Sequence, residues 1–148
     1  MAQAVTADNL CLDDQLCFAL YAATHAITRR YRPLLEQIGL TYPQYLLMLI
    51  VWQDDCATIG QIARRLKLDS HAVTPLVDRL EGSGLVYRSR GTDRRKVVVT
   101  ATARGRDLQE RAARAQVQVA SASGLAPTEL ADLRRQLHLL ADQLTPEA

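Results

Sequence analysis

The sequence has few cysteines, and their arrangement excludes one class of protein. Its 148 residues include only Cys11, Cys17 and Cys56. An odd number without paired spacing argues against a disulfide-stabilised scaffold and fits a reducing cytosol. Cys17, His25 and His71 also lack the ligand spacing that a metal site requires. We therefore expect a cytoplasmic protein that needs neither a metal nor a cofactor.

Long apolar runs and a strong net charge are also missing. The most apolar stretch covers residues 45–52, whereas a membrane-spanning helix needs about 20 residues. The N-terminus lacks a basic segment followed by an apolar run, so we expect neither a secretory signal nor a membrane partner. The formal net charge of +2 does not by itself indicate nucleic-acid binding. The length fits one domain, 1–148, with a core of its own.

Apolar positions at helical spacing predict two helices near the N-terminus. Asp13 or Asp14 is placed to cap a first helix that runs to about residue 38, with a kink or break expected at Pro33. Gly39 ends this helix. A second helix, buried on most sides, then begins at residues 41–43, and Cys56 is expected at its end in a structural role.

The middle of the chain predicts a DNA-binding motif. Two short amphipathic helices are expected over residues 58–66 and 70–80, with residues 67–69 as a tight connection. Two short helices joined in this way form a helix-turn-helix. Residues 85–90 and 96–100 then have the composition of two strands, and a hairpin that follows a helix-turn-helix is a wing.

The predicted elements give the fold class and its organisation. We expect a mainly α protein with a small β-hairpin wing, in which a winged helix-turn-helix occupies about residues 43–100. Further helices are predicted over residues 102–122 and 128–144, the last with leucines along one face. These leucines indicate a dimer core, so residues 11–40 and 101–148, approximately, form the helical dimerisation region.

The wing concentrates positive charge at its tip. Five basic residues crowd into nine positions, and only Asp93 opposes them. A flexible basic hairpin suits a narrow groove or the phosphate backbone. Alone it is usually a solvated loop, but its place after a helix-turn-helix favours DNA. We expect Arg95 to enter the minor groove while Asp93 orients its guanidinium. The predicted DNA contacts of the wing are Arg88, Arg90, Asp93, Arg94 and Arg95.

The second helix of the motif provides the recognition surface. Ser70, His71 and Thr74 lie near its N-terminus, where helix-turn-helix docking brings side chains to base edges or phosphates. Arg79 lies near its C-terminus. For His71 and Arg79, exposure to solvent without a DNA contact is an equal alternative.

Cys17 lies where a helix favours a reactive thiol. It belongs to the first turns of the first predicted helix, where the macrodipole stabilises a thiolate. Tyr21 follows one turn later on the same face. Tyr31 follows fourteen residues later, about 21 Å along a straight helix. If Tyr31 contacts Cys17, it must therefore come from another chain, or the helix must break sharply. The alternative is a buried apolar cysteine, the commoner fate of a lone helical cysteine.

The order of these elements resembles the MarR family of winged-helix regulators over nearly the whole chain. Five segments are closer still to its organic-hydroperoxide sensors of the OhrR type. They are residues 12–21 (LDDQLCFALY), 40–45 (LTYPQY), 68–70 (LDS), 74–76 (TPL) and 93–95 (DRR). The first two are the most specific.

The resemblance implies roles for individual residues. It implies that Cys17 reacts with peroxide and that Tyr21, Tyr31 and Tyr42 hydrogen-bond it. It also implies a homodimer that represses a peroxidase gene and releases DNA on oxidation. The two-cysteine members of this branch carry a resolving cysteine near position 121, where this chain has serines.

The missing resolving cysteine leaves the fate of oxidised Cys17 open. It would end as a mixed disulfide with a low-molecular-weight thiol, a sulfenamide, a higher acid, or a bond to Cys11 or Cys56.

We therefore expect a homodimeric repressor, not an enzyme, that binds a pseudo-palindromic double-stranded DNA operator and senses organic hydroperoxides through Cys17. One alternative is a MarR-type repressor that responds to a small aromatic ligand. Another, from a different class, is a thiol peroxidase enzyme, which the wing and the missing resolving cysteine disfavour.

Overall fold

Helices make up most of the computed structural model, which describes residues 10–93 and 95–146. A 3-10 turn, Leu12–Asp14, precedes the first helix. The elements are α1 (Leu16–Glu36), α2 (Tyr42–Asp54), β1 (Cys56–Thr58), α3 (Ile59–Leu66), α4 (Ser70–Gly82), β2 (Val86–Arg90), β3 (Val97–Ala101), α5 (Ala103–Asp107), α6 (Gln109–Ala122) and α7 (Pro127–Leu144). The predicted fold class, mainly α with a small β wing, is confirmed. In the described part of the chain, no helix is long and apolar enough to cross a membrane.

Helix α1 begins and continues differently from the prediction. Gln15 is its N-cap, while Asp13 and Asp14 lie in the preceding 3-10 turn, so the prediction that one of these aspartates caps the helix was wrong. The helix runs through Pro33 to Glu36 without a break. It ends before Gly39, whose φ of +74° lies in the left-handed region that glycine adopts at low cost.

Local side-chain bonds define where α2 and α3 begin. Thr41 accepts a hydrogen bond from the Gln44 backbone N–H at 3.4 Å, and the Gln44 side chain accepts one from the Thr41 backbone N–H at 3.0 Å. Thr58 and Gln61 repeat this capping box at 3.1 and 2.9 Å. Each box satisfies two backbone donors that the first turn of a helix leaves unpaired.

The sheet has one more strand than the predicted hairpin. Its three strands are antiparallel in the order β1-β3-β2. Cys56 lies in β1 opposite Thr100 and is exposed. The expectation that Cys56 ends the second helix was therefore wrong. The short strand β1 ties the start of the helix-turn-helix to the base of the wing.

The core consists of buried apolar side chains from α2, the helix-turn-helix and the sheet, and it also includes residues of α1 and α6. Trp52 on α2 donates a hydrogen bond from Nε1 to the backbone oxygen of Gly105 at 3.0 Å. A Cβ added at Gly105 would lie 2.1 Å from the Leu85 backbone oxygen, so only glycine allows this approach. The largest fully buried side chains are Leu35, Leu47, Met48, Ile62, Leu80, Val51, Val73, Val77, Val86 and Val99.

The C-terminal helices are arranged differently. The single helix predicted over residues 102–122 is two helices, α5 and α6, which meet at Leu108. Within the described chain, α7 has no buried side chain. Leu133 and Leu137 on this helix are 44% and 37% exposed.

Candidate nucleic-acid interface and thiol site

The N-terminal half of α4 presents three of the predicted recognition residues. Ser70 and His71 open the helix, and both are exposed. Thr74 is also exposed, and its hydroxyl donates to the Ser70 backbone oxygen at 3.1 Å. Arg79 lies exposed in the last turn. The free backbone N–H groups and the dipole of a helix N-terminus favour phosphate oxygens at this end.

The tip of the wing is shaped by Asp93. Its carboxylate accepts a hydrogen bond from the backbone N–H of Arg95 at 3.1 Å, and its backbone oxygen accepts one from Lys96 at 3.0 Å. We predicted that this carboxylate orients the guanidinium of Arg95. The structure instead gives it a bond to the backbone of Arg95, which fixes the turn. Arg95 is exposed, and Arg94 lies outside the described residues.

A cleft of about 420 Å³ separates the wing from the helix-turn-helix. Arg95 and Lys96 line it from the wing, Arg64 from α3 and Ser70 from α4. Arg64 was absent from the predicted site, although its place in the last turn of α3 could have indicated it. The cleft joins three cationic side chains to the N-terminus of α4, an arrangement suited to phosphate groups.

Arg88 lies apart from this basic surface. Its guanidinium bonds the carboxylates of Asp78 and Glu81 on α4, the second at 2.9 Å. The hydrogen bond with Asp78 and the charges of both carboxylates raise the pKa of Arg88, although partial burial acts against this. The guanidinium is thus engaged within the fold, and the DNA contact of Arg88 stays a prediction. Arg90, two residues further along β2, is exposed.

Cys17 is exposed in the first turn of α1. Tyr21, one turn later, is 63% exposed and packs edge-on against His25 with ring centroids 4.2 Å apart. Because α1 is unbroken, Tyr31 lies about 21 Å further along the same helix. Within one protomer, the structure therefore places Tyr21 near the thiol and Tyr31 far from it.

Tyr31 instead belongs to a tyrosine cluster with Tyr42 and Tyr45 of α2. Its ring centroid lies 5.5 Å from that of Tyr42 and 5.2 Å from that of Tyr45. Burial raises the pKa of all three phenols, and a hydrogen bond with Tyr45 raises that of Tyr31 further. The raised pKa values extend to higher pH the range in which these hydroxyls stay protonated. Tyr45 was not among the predicted site residues, although its position three residues after Tyr42 places both on one helix face.

The segment near position 121 has a local structural role. The Ser123 hydroxyl donates to the Ala120 backbone oxygen at 2.6 Å and accepts from the Leu125 backbone N–H at 3.2 Å. These bonds help to end α6. Cys11, Cys17 and Cys56 are all free thiols and all exposed.

A second cleft, of about 500 Å³, lies between α2 and α6. Tyr45, Leu49 and Trp52 line one side, and Gln109 and Ala112 line the other. Aromatic and apolar walls with a few amides are typical of small-molecule sites.

Three comparisons relate the chain to known proteins. The MarR family description matches residues 40–97. The chain is 42% identical over 149 residues to the HTH-type transcriptional regulator TtmR of Methylorubrum extorquens (strain PA1), covering 95% of this chain and 76% of that protein. It is 36% identical over 138 residues to the organic hydroperoxide resistance transcriptional regulator of Bacillus subtilis (strain 168), covering 93% and 94%.

The chain is also similar to a solved structure in both sequence and fold. The crystal structure of overoxidised AbfR bound to DNA shares 34% identity, covers 90% of this chain and 95% of that chain, and has a TM-score of 0.74. AbfR is a protein of Staphylococcus epidermidis.

Proposed function

The chain belongs to the MarR family of transcriptional regulators, and from this premise we propose that it is a homodimeric repressor that senses organic hydroperoxides. Oxidation of Cys17 then releases the operator. The observation that carries the proposal is the exposed Cys17 at the start of an unbroken α1, with three tyrosines clustered near the other end. The name of the Bacillus subtilis relative supports the choice of organic hydroperoxides.

A two-fold dimer would bring the two halves of the sensor together. If the α1 helices of two protomers cross antiparallel, Cys17 of one lies beside Tyr31 and Tyr42 of the partner subunit. The exposed leucines of α7 support such a dimer, because monomers rarely leave large apolar patches in water. Oxidation would then disturb the contacts that set the distance between the two DNA-binding parts.

The chemical step needs a thiolate, a peroxide and hydrogen-bond donors. The Cys17 thiolate attacks the terminal oxygen of the hydroperoxide, the S–O bond forms, the O–O bond breaks, and the alkoxide leaves as an alcohol after taking a proton. Tyrosine hydroxyls stabilise the thiolate and the departing oxygen. A low-molecular-weight thiol then attacks the sulfenic sulfur and water leaves, giving a mixed disulfide. Serines near position 121 leave this role to an external thiol.

DNA binding is proposed for α4 and the wing. Ser70, His71 and Thr74 enter the major groove of each half-site, and Arg95 with Arg90 and Arg94 follows the flanking minor groove. The two-fold symmetry of the dimer implies a pseudo-palindromic operator. We propose that this regulation takes place in the cytoplasm.

The sensor is tested with DNA that the wild-type protein selects from a random-sequence pool. Fluorescence anisotropy of this duplex is measured for wild type and Cys17→Ser, with and without one equivalent of cumene hydroperoxide. We expect the peroxide to release wild type and to leave Cys17→Ser bound. Cys56→Ser, a change at another exposed thiol, is the matched control and should respond like wild type. Release of Cys17→Ser by the peroxide would contradict the proposal.

Intact mass and peroxide consumption show how oxidised Cys17 is resolved and whether the protein acts as a peroxidase. Intact mass after peroxide and a small thiol should show one adduct on wild type and on Cys11→Ser. If wild type instead forms an intramolecular disulfide without an adduct and only Cys11→Ser gains the adduct, Cys11 resolves the sulfenic acid. Sustained consumption of peroxide with a thiol reductant would favour the peroxidase alternative.

The cleft between α2 and α6 favours a second candidate function, a repressor released by a small aromatic ligand. Its volume of about 500 Å³ suits a single ring. Salicylate is the probe, and release of Cys17→Ser from DNA by salicylate would support this candidate. An anisotropy that stays unchanged throughout the salicylate titration would count against a repressor released by small aromatic acids.

A further inference from the structure

We propose that Arg88 is a positioning residue that fixes the wing to the recognition helix through Asp78 and Glu81. It sets the angle between the two elements that contact DNA and makes no contact with DNA itself. This inference rests on the proposed function in one respect, that α4 and the wing bind DNA.

The sequence places the three residues on facing surfaces. Along β2, side chains alternate between the two faces of the strand, so Arg88 shares the face of the buried Val86. On α4, Asp78 and Glu81 are three residues apart and lie on the same face. The strand and the helix therefore present one cation to two carboxylates from facing surfaces.

Three bonds hold this arrangement. The guanidinium bonds Asp78 through Nη2 and Glu81 through Nη1, the latter at 2.9 Å, so both of its arms are used. The backbone N–H of Arg88 donates to the other Glu81 oxygen at 3.1 Å. Because the main chain is held as well, the position of the strand is fixed and not only that of a side chain. The planar fork of arginine suits two carboxylates better than the single ammonium of lysine.

The location of these bonds explains their effect on the wing. Arg88 is the middle residue of β2 and pairs with Val99 of β3, whose side chain is fully buried. The hairpin tip with Arg95 lies beyond this point. The base of the wing is thus fixed to α4, while its tip remains available to DNA. Arg88 is 24% exposed, and the carboxylates of Asp78 and Glu81 are 59% and 42% exposed.

A sign test separates this role from a direct phosphate contact. If Arg88 bound phosphate, Asp78→Asn and Glu81→Gln would free its charge and strengthen DNA binding. If Arg88 positions the wing, both changes weaken binding even though each removes a negative charge near DNA. We expect Asp78→Asn to weaken DNA binding by about two- to fivefold, which corresponds to the free energy that a partly exposed ion pair usually contributes. Asp69→Asn, at the exposed N-cap of α4, is the matched charge control and should bind as tightly as wild type or tighter.

The experiment measures anisotropy of the selected duplex over a series of salt concentrations. Arg88→Ala should lower the affinity while the salt slope stays that of wild type. Arg95→Ala should make the salt slope shallower by about two, because each of the two wings of the dimer loses one phosphate contact. Arg88→Lys should resemble Arg88→Ala, since it keeps the charge and loses the fork. Circular dichroism melts identify any variant that fails to fold, and Asp78→Asn then carries the test alone.

Hydroxyl-radical footprinting gives a readout that a general loss of stability would not produce. For Asp78→Asn, protection should disappear where the wings lie and persist where α4 lies. Stronger binding by Asp78→Asn, a reduced salt slope for Arg88→Ala, or uniform loss of protection would overturn the inference. If wild type selects no DNA sequence, the proposed function fails instead, and the two failures are distinct.

Discussion

Helices α2 and α7 both carry rows of apolar side chains, but the chain buries them very differently. Seven residues of α2 are buried, and Leu47 is fully buried. In the described chain, α7 buries none of its eighteen residues, and Leu137 is 37% exposed. The winged helix-turn-helix therefore holds most of the core, which continues into α1 and α6. The surrounding helical region leaves apolar side chains exposed in a single chain, and the proposed dimer would cover this apolar surface.

The difference assigns separate physical tasks to the two regions. A closed core keeps the recognition helix and wing in one geometry, because well-packed interiors deform little. An open apolar face lets the relative position of two such bodies change, because an interface can have two discrete arrangements. Substitutions in the closed core, on the open face, in the tyrosine cluster and at the helix starts test this division.

The largest effect is expected in the closed core. Leu47→Ala on α2 removes a fully buried side chain and should lower the free energy of unfolding by about 2–5 kcal/mol, since a cavity remains. Urea denaturation at fixed protein concentration measures it. Leu68→Ala, at a 44% exposed leucine, is the control and should change stability by less than about 0.5 kcal/mol. Equal losses in the two variants would mean that the core is not closed.

The next effect concerns the open face. Leu137→Asp places a carboxylate on the leucine face of α7 and should raise the dimer dissociation constant by about a hundredfold, because each dimer then desolvates two charges. Sedimentation velocity over a dilution series measures this. Leu139→Asp is the matched control, since residue 139 points to the opposite side of the helix. A Leu137→Asp protein that stays dimeric would remove this face from the interface.

A smaller effect concerns the tyrosine cluster that joins the two regions. The pKa of Tyr31 is raised above its ordinary value of 10.0. Above about pH 10 the unfolded chain loses this phenol proton while the folded protein keeps it, so stability should fall as the pH rises, by at most about 1.4 kcal/mol per pH unit. Tyr31→Phe should flatten this dependence in urea titrations between neutral pH and pH 11. Tyr21→Phe, at an exposed ring, should keep the wild-type slope, and an equal flattening would refute the assignment.

The smallest effect is expected at the helix starts of the closed region. Thr41→Ala and Thr58→Ala each remove the hydroxyl of a capping box and should cost about 1 kcal/mol. Thr28→Ala, whose hydroxyl bonds the His25 backbone oxygen inside α1, should cost less. Thermal melts at one protein concentration rank the three. A larger loss for Thr28→Ala would mean that this hydrogen bond within α1 contributes more to stability than the capping boxes of the winged motif.

Local patterns were enough to predict most of the fold. Thr41 and Gln44, like Thr58 and Gln61, form their bonds within four residues, so composition at the start of each helix is informative. The strand β1 was missed because it has three residues and its partner β3 lies about forty residues later. The break at Leu108 was missed because both sides of it keep helical composition.

The site was less predictable than the fold, and charge explains why. Arg88 and Arg95 look equivalent in a basic segment, yet one bonds two carboxylates of α4 and the other is exposed at the tip. The alternation of side chains along β2 and the spacing of Asp78 and Glu81 on α4 are both visible in the sequence. That β2 packs against α4, and so brings Arg88 to the two carboxylates, is visible only in the structure. The number of residues between Cys17 and Tyr31 was enough to predict that the two lie far apart within one chain, and the unbroken α1 agrees with that distance.

The hydrogen bond from Trp52 to Gly105 has a spectroscopic consequence. The chain has one tryptophan, and its indole is 8% exposed at the contact of α2 with α5. Tryptophan emission from the unmodified protein therefore comes from one ring per chain, at the point where α2 of the winged motif meets the short helix α5. A red shift or a change in lifetime on addition of peroxide or DNA would report movement at that junction in real time, without any introduced label.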